Sequence, residues 1–350
     1  MTKRERVSAV LRGGAPDRPP LFDLLRNDAV LAHYSGLDPF RDPEAAVYAA
    51  ARNVLDSTRS LRLPDPEGEE RGQDGRVIVR RRWTTWNERI HPPTLEEARS
   101  DLRQRVEDLE RRMDDEDAAR ADAARLREDA SQKLSRLGDD FAYVTPAFGV
   151  GVMIYHAYGL ETFSYLLADD EDLVLRYLAL NAERSARRIA RLDLTDLAVA
   201  VFVGEDIAYK GTTLFSPAFL RRAFMPHLER LVALYHERGL PVMFHSDGSL
   251  MGVLDDLMAC GIDLLNPIEV LAGMDVKEIR RRCPRLILAG GIDVSQLLPL
   301  GAPQEVAAAT KSLIQTAGPG VLVGSSTELN DAVPLDNYRA LVEAVMAYRY

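Results

Sequence analysis

The chain has 350 residues, of which 46% are hydrophobic, and it carries a formal net charge of −10. This apolar content supplies the core of one large domain without disulfides or a structural metal. The acidic balance argues against a general nucleic-acid binder, and no window has the roughly 20 continuous apolar residues that span a bilayer. With two cysteines, Cys260 and Cys283, and no secretory apolar segment at its start, the protein is expected to be cytoplasmic.

The first ninety residues are predicted to form short helices and one strand-rich segment. Residues 3–12 and residues 44–56 have the pattern of helices, and the first ends at Gly13. The stretch from Val77 to Ile90 alternates β-branched, basic and aromatic residues, which is typical of a strand or hairpin. A proline-rich turn between the two helices precedes three candidates for substrate binding, Asp23, Arg26 and Asn27.

A long, heavily charged segment follows, from residue 95 to residue 137. Thr94 followed by Glu96 and Glu97 is typical of a helix start, with a hydroxyl cap and acidic residues in the first turn. We expect a helix or helix pair whose charged residues form a solvated outer face. This segment is interpreted as an elaboration of the domain and not as a partner site.

The second half of the chain alternates short apolar runs with amphipathic segments. The runs begin near residues 141, 201, 242, 264, 286 and 321. Strands that alternate with helices indicate βαβ units and a parallel sheet. We therefore predict an α/β fold, a single (β/α)8 TIM-type barrel over residues 1–350 with N-terminal helical and hairpin elaborations. Because the strands of such a barrel converge at one mouth, the polar residues after these runs are expected to form one site.

His245 is the clearest candidate for chemistry, because it directly follows the buried run Val242–Phe244. A histidine there can act as a general acid or base, or bind a metal. Asp247 lies two residues further on and would share the same side of a continuing strand. Glu205 and Asp206 end the preceding run, and adjacent carboxylates in one cavity would raise each other's pKa. We assign His245, Asp247 and Glu205 as catalytic.

Other polar residues near the strand ends are assigned to substrate binding. They are Asp206, Lys210, Glu269, Asp293, Ser325 and Glu328. Each has an alternative role in capping a helix or bonding a loop. Arg59, Arg62 and residues 80–82 add positive charge, which suits recognition of a carboxylate wherever it lies near the mouth.

Several motifs taken together resemble the uroporphyrinogen decarboxylase superfamily. They are Arg4–Val7 with Pro16–Pro20, Gly204–Asp206 with Phe215–Pro217, Phe244–Gly248, Leu265–Glu269, Gly290–Asp293, and Gly324–Ser326 with Val333–Asn337. The resemblance covers nearly the whole chain except the charged segment. It implies a (β/α)8 barrel with its active cleft at the strand carboxyl ends, and it allows a homodimer.

The chain departs from both main chemistries of that superfamily. True uroporphyrinogen decarboxylases carry an arginine-rich segment after the first proline-rich turn, whereas this chain reads Phe22–Asn27 there and keeps one arginine. Thiol-activating methyltransferases of the superfamily hold zinc with a His-x-Cys pair and a later Cys. Here the pair reads His245-Ser246-Asp247, and the later position falls near Ser325 or Ser326.

We therefore expect a member outside both standard subgroups. The favoured function is a uroporphyrinogen decarboxylase-like lyase that removes CO2 from a small or aromatic carboxylate by acid/base chemistry, with no metal or cofactor favoured. The alternative is a corrinoid-dependent methyltransferase or O-demethylase, with zinc or a harder metal at His245, Asp247 and Glu205 and a corrinoid protein as its partner. A barrel that only binds a ligand is a third interpretation.

Overall fold

The computed structural model describes residues 1–72, 76–89 and 92–350. Its α-helices are α1 (Lys3–Leu11), α2 (Asp28–Ser35), α3 (Pro43–Val54), α4 (Leu95–Arg111), α5 (Glu116–Leu137), α6 (Tyr155–Tyr158), α7 (Leu160–Asp169), α8 (Glu171–Ile189), α9 (Pro217–Ala223), α10 (Met225–Glu237), α11 (Leu254–Ala259), α12 (Val276–Arg282), α13 (Leu297–Leu300), α14 (Pro303–Ala317) and α15 (Leu335–Ala347). Its strands are β1 (Ser57–Thr58), β2 (Gly68–Arg71), β3 (Arg76–Arg81), β4 (Thr84–Arg89), β5 (Ala142–Pro146), β6 (Ala200–Gly204), β7 (Ala208–Tyr209), β8 (Thr212–Thr213), β9 (Val242–His245), β10 (Leu264–Asn266), β11 (Ile287–Ile292) and β12 (Val321–Ser325). Among these residues, no helix has both the length and the apolar character that crossing a membrane requires.

Seven strands form one parallel sheet, in the order β1-β5-β6-β9-β10-β11-β12. Its two edge strands are joined by one short segment, because Leu21 forms a parallel bridge with Val323 and Phe22 forms one with Ser57. The Phe22 N–H donates to the Val323 carbonyl at 2.8 Å, and the Ser57 N–H donates to the Leu21 carbonyl at 3.1 Å. The sheet is therefore curled, which confirms the predicted α/β fold with a parallel sheet. A complete eighth strand, and a single domain over residues 1–350, stay predictions.

Alternate residues of the curled sheet pack into two separate hydrophobic clusters, as the two-residue period of a strand requires. The smaller, inner cluster contains Ala142, Val144, Ala200, Met243, Leu264, Ile287, Ala289 and Leu322, together with Val7 and Val10 of α1. The intervening strand residues pack against the surrounding helices in the larger cluster. The Arg4 N–H donates to the carbonyl of Asp140, just before β5. Helix α1 therefore lies at the amino ends of the strands, and their carboxyl ends are left for the site.

The N-terminal elaborations agree with the sequence pattern. The charged segment forms a helix pair, α4 and α5, and the Thr94 side chain and Glu97 cap the start of α4 reciprocally. Leu102 and Leu134 point into the protein while the charged residues remain outside. Strands β3 and β4 pair as the expected antiparallel hairpin, and its predicted last residue, Ile90, lies outside the described residues.

Candidate active site

The register of three neighbouring strands places Gly204, His245 and Asn266 side by side at the carboxyl end of the sheet. His245 follows Met243 of the inner cluster by two residues, so its ring lies on the inner side. The Phe202 and His245 ring centroids are 5.0 Å apart. A Cβ at Gly204 would lie 2.9 Å from the Phe202 ring, so glycine at this position allows the close approach of that ring.

Asn266 decides which nitrogen of His245 carries the proton. The Asn266 Nδ2 donates to the Ala289 carbonyl at 3.1 Å, so its Oδ1 is the acceptor that lies 2.8 Å from His245 Nδ1. The proton of the neutral ring is therefore on Nδ1, and Nε2 keeps its lone pair. Burial, followed by the positive charge of Arg59, lowers the pKa of His245 to about 4. The imidazole is thus neutral at physiological pH.

Two carboxylates face this unprotonated nitrogen. Asp247 Oδ1 lies 3.6 Å from His245 Nε2, and Asp206 Oδ1 lies 3.9 Å from it. The Asp247 N–H donates to Asp206 Oδ1 at 3.1 Å, which holds the two acidic residues together. Partial burial, followed by repulsion from Asp206 and Glu269, raises the pKa of Asp247 to about 7, while 52% of its side chain stays exposed. A proton on one of these three acceptors, or a cation among them, lowers their mutual repulsion.

Glu205, predicted to share this cavity, points elsewhere. It follows Val203 of the outer cluster by two residues, and its carboxylate accepts the backbone N–H groups of Gly151 at 2.6 Å and Val152 at 2.9 Å. Burial raises the pKa of Glu205 to about 7, against the opposing effect of these hydrogen bonds. The second carboxylate near His245, besides Asp247, is therefore Asp206, which replaces Glu205 in the expected metal-ligand set, and Glu205 holds the loop after β5.

An ion-pair cluster lies beside Phe202. The Arg59 guanidinium carbon lies 4.6 Å from the Phe202 ring centroid. The Glu328 carboxylate is shared by two arginines, with Arg26 Nη1 at 2.5 Å from Oε1 and Arg59 Nη2 at 3.6 Å from Oε2. We call Arg26, Arg59 and Glu328 the arginine clamp. Two of its members, Arg26 and Glu328, were predicted as substrate-binding residues, and the structure brings them together.

Three other predicted substrate-binding residues have internal partners instead. Asp23 is buried, and it accepts the Ser325 hydroxyl at 2.6 Å and the Ser325 N–H at 3.1 Å. Burial raises the pKa of Asp23 to about 6, although these hydrogen bonds oppose the shift. Asn27 caps α2 by accepting from the Val30 N–H and donates to the Val333 carbonyl. Asp23, Ser325 and Asn27 therefore join the first polar turn to the loop after β12 and do not face the mouth.

The last three predicted substrate-binding residues, Asp293, Glu269 and Lys210, lie on three different loops. Asp293 caps the turn before α13 by accepting from the N–H groups of Gln296 and Leu297, which is the loop-bonding alternative. Glu269 accepts the Gly248 N–H at 2.6 Å and so lies beside the turn that carries Asp247. Lys210 is exposed between the short strands β7 and β8, and its role in substrate binding stays a prediction.

The donor set around His245 favours a hard cation over thiolate-bound zinc. One atom each of Asp206, His245 and Asp247 lies within 4.8 Å of the others. Imidazole and carboxylate ligands suit several divalent metals, whereas thiol-activating zinc sites use soft thiolates. Neither cysteine belongs to this group: Cys260 and Cys283 are buried elsewhere, and Cys260 donates to the Met225 carbonyl.

Sequence reasoning gave no site role to three residues that the structure places here. Asn266 lies within the motif Leu265–Glu269, and its position beside His245 follows only from strand register. Arg59 was noted for its charge alone, and Phe202 was counted as part of an apolar run. For Asn266, the available indication of a site role was a polar residue at the end of a buried strand. For Arg59, the only indication was its positive charge, which does not give its position.

Comparisons with known proteins agree with this architecture. The family model of uroporphyrinogen decarboxylase (URO-D) matches residues 150–348. A methyltransferase from Methanosarcina mazei is 18% identical with a TM-score of 0.64, and the match covers 99% of this chain and 98% of that chain. At this identity the likeness shows the fold alone.

Other solved structures match more weakly. A B12-independent methionine synthase from Shewanella sp. W3-18-1 is 14% identical with a TM-score of 0.37, covering 63% of this chain and 64% of that one. A chitinase from Chromobacterium violaceum is 10% identical with a TM-score of 0.41, covering 95% and 100%. Neither similarity carries an argument, and no curated protein matches the chain. Because the family model spans more than half of the residues, this protein belongs to the uroporphyrinogen decarboxylase family.

Proposed function

We propose that this protein is a lyase that removes CO2 from a small or aromatic carboxylate, with Asp247 and His245 supplying the proton that replaces it. The observation that carries the proposal is the convergence of Asp247 and Asp206 on the unprotonated Nε2 of His245. A proton on Asp247 relieves the repulsion among these acceptors. A carboxyl group that is protonated near neutral pH is a competent general acid.

The chemistry balances without a further reactant. Asp247 donates its proton to the substrate carbon that bears the carboxylate, while His245 orients the acid. The carbon–carboxylate bond then breaks, CO2 leaves, and the electron pair of that bond returns to the substrate. Asp206 stabilises the positive charge that develops on an electron-rich ring during protonation. A solvent proton finally restores Asp247, so that the net change consumes one proton per turnover.

Arginine side chains provide the means to hold such a substrate. Arg26 and Arg59 are mostly buried, with exposed fractions of 17% and 11%, and Arg59 contacts the same Phe202 ring as His245. A guanidinium group binds a carboxylate through paired hydrogen bonds. The acid/base pair and the cationic anchor are thus on adjacent parts of the mouth.

Turnover of a labelled substrate panel tests the proposal. Small and aromatic acids carrying a 13C-labelled carboxylate are incubated with the full chain in D2O, and labelled CO2 and deuterium in the product are followed by mass spectrometry. We expect one deuterium at the carbon that lost the carboxylate. Asp247→Asn and His245→Gln should each lower kcat by about 10²- to 10⁴-fold, the usual contribution of a general acid or base.

The control is Glu343→Gln, which makes the same kind of change at an exposed ion pair on α15 and should leave turnover unaltered. Full activity in the combined variant of His245 and Asp247 would show that the site assignment is wrong.

Methyl transfer is a second candidate, favoured by the carboxylate–imidazole group itself. Asp206, His245 and Asp247 would hold a divalent metal, which supplies a Lewis acid for an oxygen of the substrate. Metal analysis of the purified protein separates the two functions. Stoichiometric metal that is lost in His245→Ala, together with methyl transfer to a corrinoid protein, would favour this candidate over decarboxylation.

A further inference from the structure

The arginine clamp is built to hold a carboxylate, and in this structure one from the protein itself fills it. The Arg26 N–H donates to the Leu329 carbonyl and the Leu329 N–H donates to the Leu24 carbonyl, both at 2.9 Å. This pair of backbone hydrogen bonds joins the segment that carries Arg26 to the loop that carries Glu328. The backbone therefore places Glu328 beside Arg26 and Arg59.

Glu328 is held less firmly than the other buried acids of this region. Asp23 and Glu205 each accept two or more backbone N–H groups. Within residues 1–72, 76–89 and 92–350, no backbone N–H donates to Glu328, whose recorded partners are the two arginine side chains. Glu328 is also the most exposed of the three, at 31%. Glu328 is thus the group of the arginine clamp that a ligand can displace, while Arg26 and Arg59 stay in place.

The clamp retains binding capacity that Glu328 does not use. The Nε groups of Arg26 and Arg59 are buried, and neither has a hydrogen-bond partner among the residues that the structure describes. A cavity of about 10 Å³ beside Arg26 and Arg62 has room for about one water. An unpaired buried donor of a charged group is costly, and a carboxylate that takes the place of Glu328 can bind an arginine through two parallel hydrogen bonds, one of them to Nε.

From this arrangement we infer that Glu328 is a place-holder, which the carboxylate of the substrate displaces from Arg26 and Arg59. The inference rests on the proposed function for its substrate class, and it names Glu328 as the residue that sets specificity. A neutral analogue cannot replace Glu328 without leaving two buried cations unpaired, so the clamp selects anions. Competition with Glu328 multiplies the affinity for every anion by the fraction of molecules in which Glu328 has left the clamp.

Calorimetric titration of the full chain with benzoate and with benzamide tests the inference, because binding of these probes does not require turnover. Glu328→Gln should bind benzoate about tenfold more tightly than the wild type, as expected if the clamp is filled in about 90% of molecules. Its affinity for benzamide should not change. Arg59→Gln should lose benzoate binding, and Glu343→Gln should behave as the wild type.

Glu328→Asp provides a second variant if Glu328→Gln folds poorly. The shorter acid cannot span both arginines, so its benzoate affinity should lie between those of the wild type and Glu328→Gln. Equal or weaker benzoate binding in both variants would overturn the inference, since it would mean that Glu328 only braces the arginines. This result is distinguishable from failure of the proposed function, in which benzoate binds as described but no carboxylate releases CO2.

Discussion

At the scale of single residues, the chemistry depends on the tautomer of His245. Asn266 occupies the neighbouring strand at the same level, and its amide oxygen accepts from Nδ1. The Asn266 amide is itself fixed by the Ala289 carbonyl. Asn266 is therefore a positioning residue, which keeps the lone pair of Nε2 directed toward Asp206 and Asp247.

Replacing Asn266 by aspartate should raise the pKa of His245 above its present value of about 4. A carboxylate beside Nδ1 favours the imidazolium form and shifts a histidine pKa upward by about 1–3 units. NMR titration of the ring protons measures the shift, and His245→Gln assigns the resonance among the six histidines. Asn53→Asp, on the exposed side of α3, is the matched control. A His245 pKa that stays near 4 in Asn266→Asp would contradict this role.

At the scale of elements, Glu205 links β6 to the loop that follows β5. The two-residue period places its side chain on the outer side of the sheet, where the N–H groups of Gly151 and Val152 meet it. Asn181 of α8 contacts the same loop by donating to the Val150 carbonyl. The loop beside the mouth is thus held by a buried acid from the strand and by an amide from a surrounding helix.

The burial of Glu205 makes the stability of the protein depend on pH. Its pKa is about 7 in the folded protein and about 4.5 in the unfolded chain. The stability contributed by the neutral acid is fully present below pH 4.5 and is lost as pH rises through 7. The free energy of unfolding should fall by about 3 kcal/mol across this window relative to Glu205→Gln, which cannot ionise.

Chemical denaturation at several pH values measures this difference. The exposed variant Glu229→Gln on α10 should follow the wild type at each pH. Parallel curves for the wild type and Glu205→Gln would contradict the argument.

At the scale of the whole molecule, a buried ion-pair network lies where residues 21 and 22 join the two edge strands of the curled sheet. Asp56, which precedes β1 and has no exposed side-chain surface, contacts Arg6 at 2.7 Å and Arg18 at 2.6 Å. Its carboxylate also accepts the Leu21 N–H at 2.8 Å. One acid therefore joins α1, the proline-rich turn and the segment that bridges the two sheet edges.

Asp56→Asn should lower the free energy of unfolding by about 3 kcal/mol, because it removes the buried partner of Arg18 and leaves Arg6 paired only with the more exposed Asp17. Urea denaturation followed by circular dichroism gives the value. Asp108→Asn removes an exposed ion pair with Arg111 on α4 and should change stability by less than about 1 kcal/mol. A similar decrease in the free energy of unfolding in the two variants would show that the network does not stabilise the junction of the two edge strands.

Much of the fold could be predicted from local patterns. The apolar runs became strands of one parallel sheet, and the charged segment became a helix pair, because the period of apolar residues decides each element locally. The site was harder to predict. His245 and Asp247 share one side of the sheet, as their spacing indicated. Glu205, in contrast, was wrongly placed in their cavity. Residues two apart on a strand share a side, so Glu205 lies on the outer side with Val203.

The sequence by itself determined the strand–helix alternation, the motifs of the uroporphyrinogen decarboxylase family and the position of His245 at a strand end. Only the tertiary structure decided that Asp206 joins His245, that Asn266 selects its tautomer, and that Glu328 pairs with Arg26 and Arg59. Period and propensity act between near neighbours in the chain. Which side chains meet across separate loops depends on strand register and on the closure of the sheet, and no local pattern contains that information.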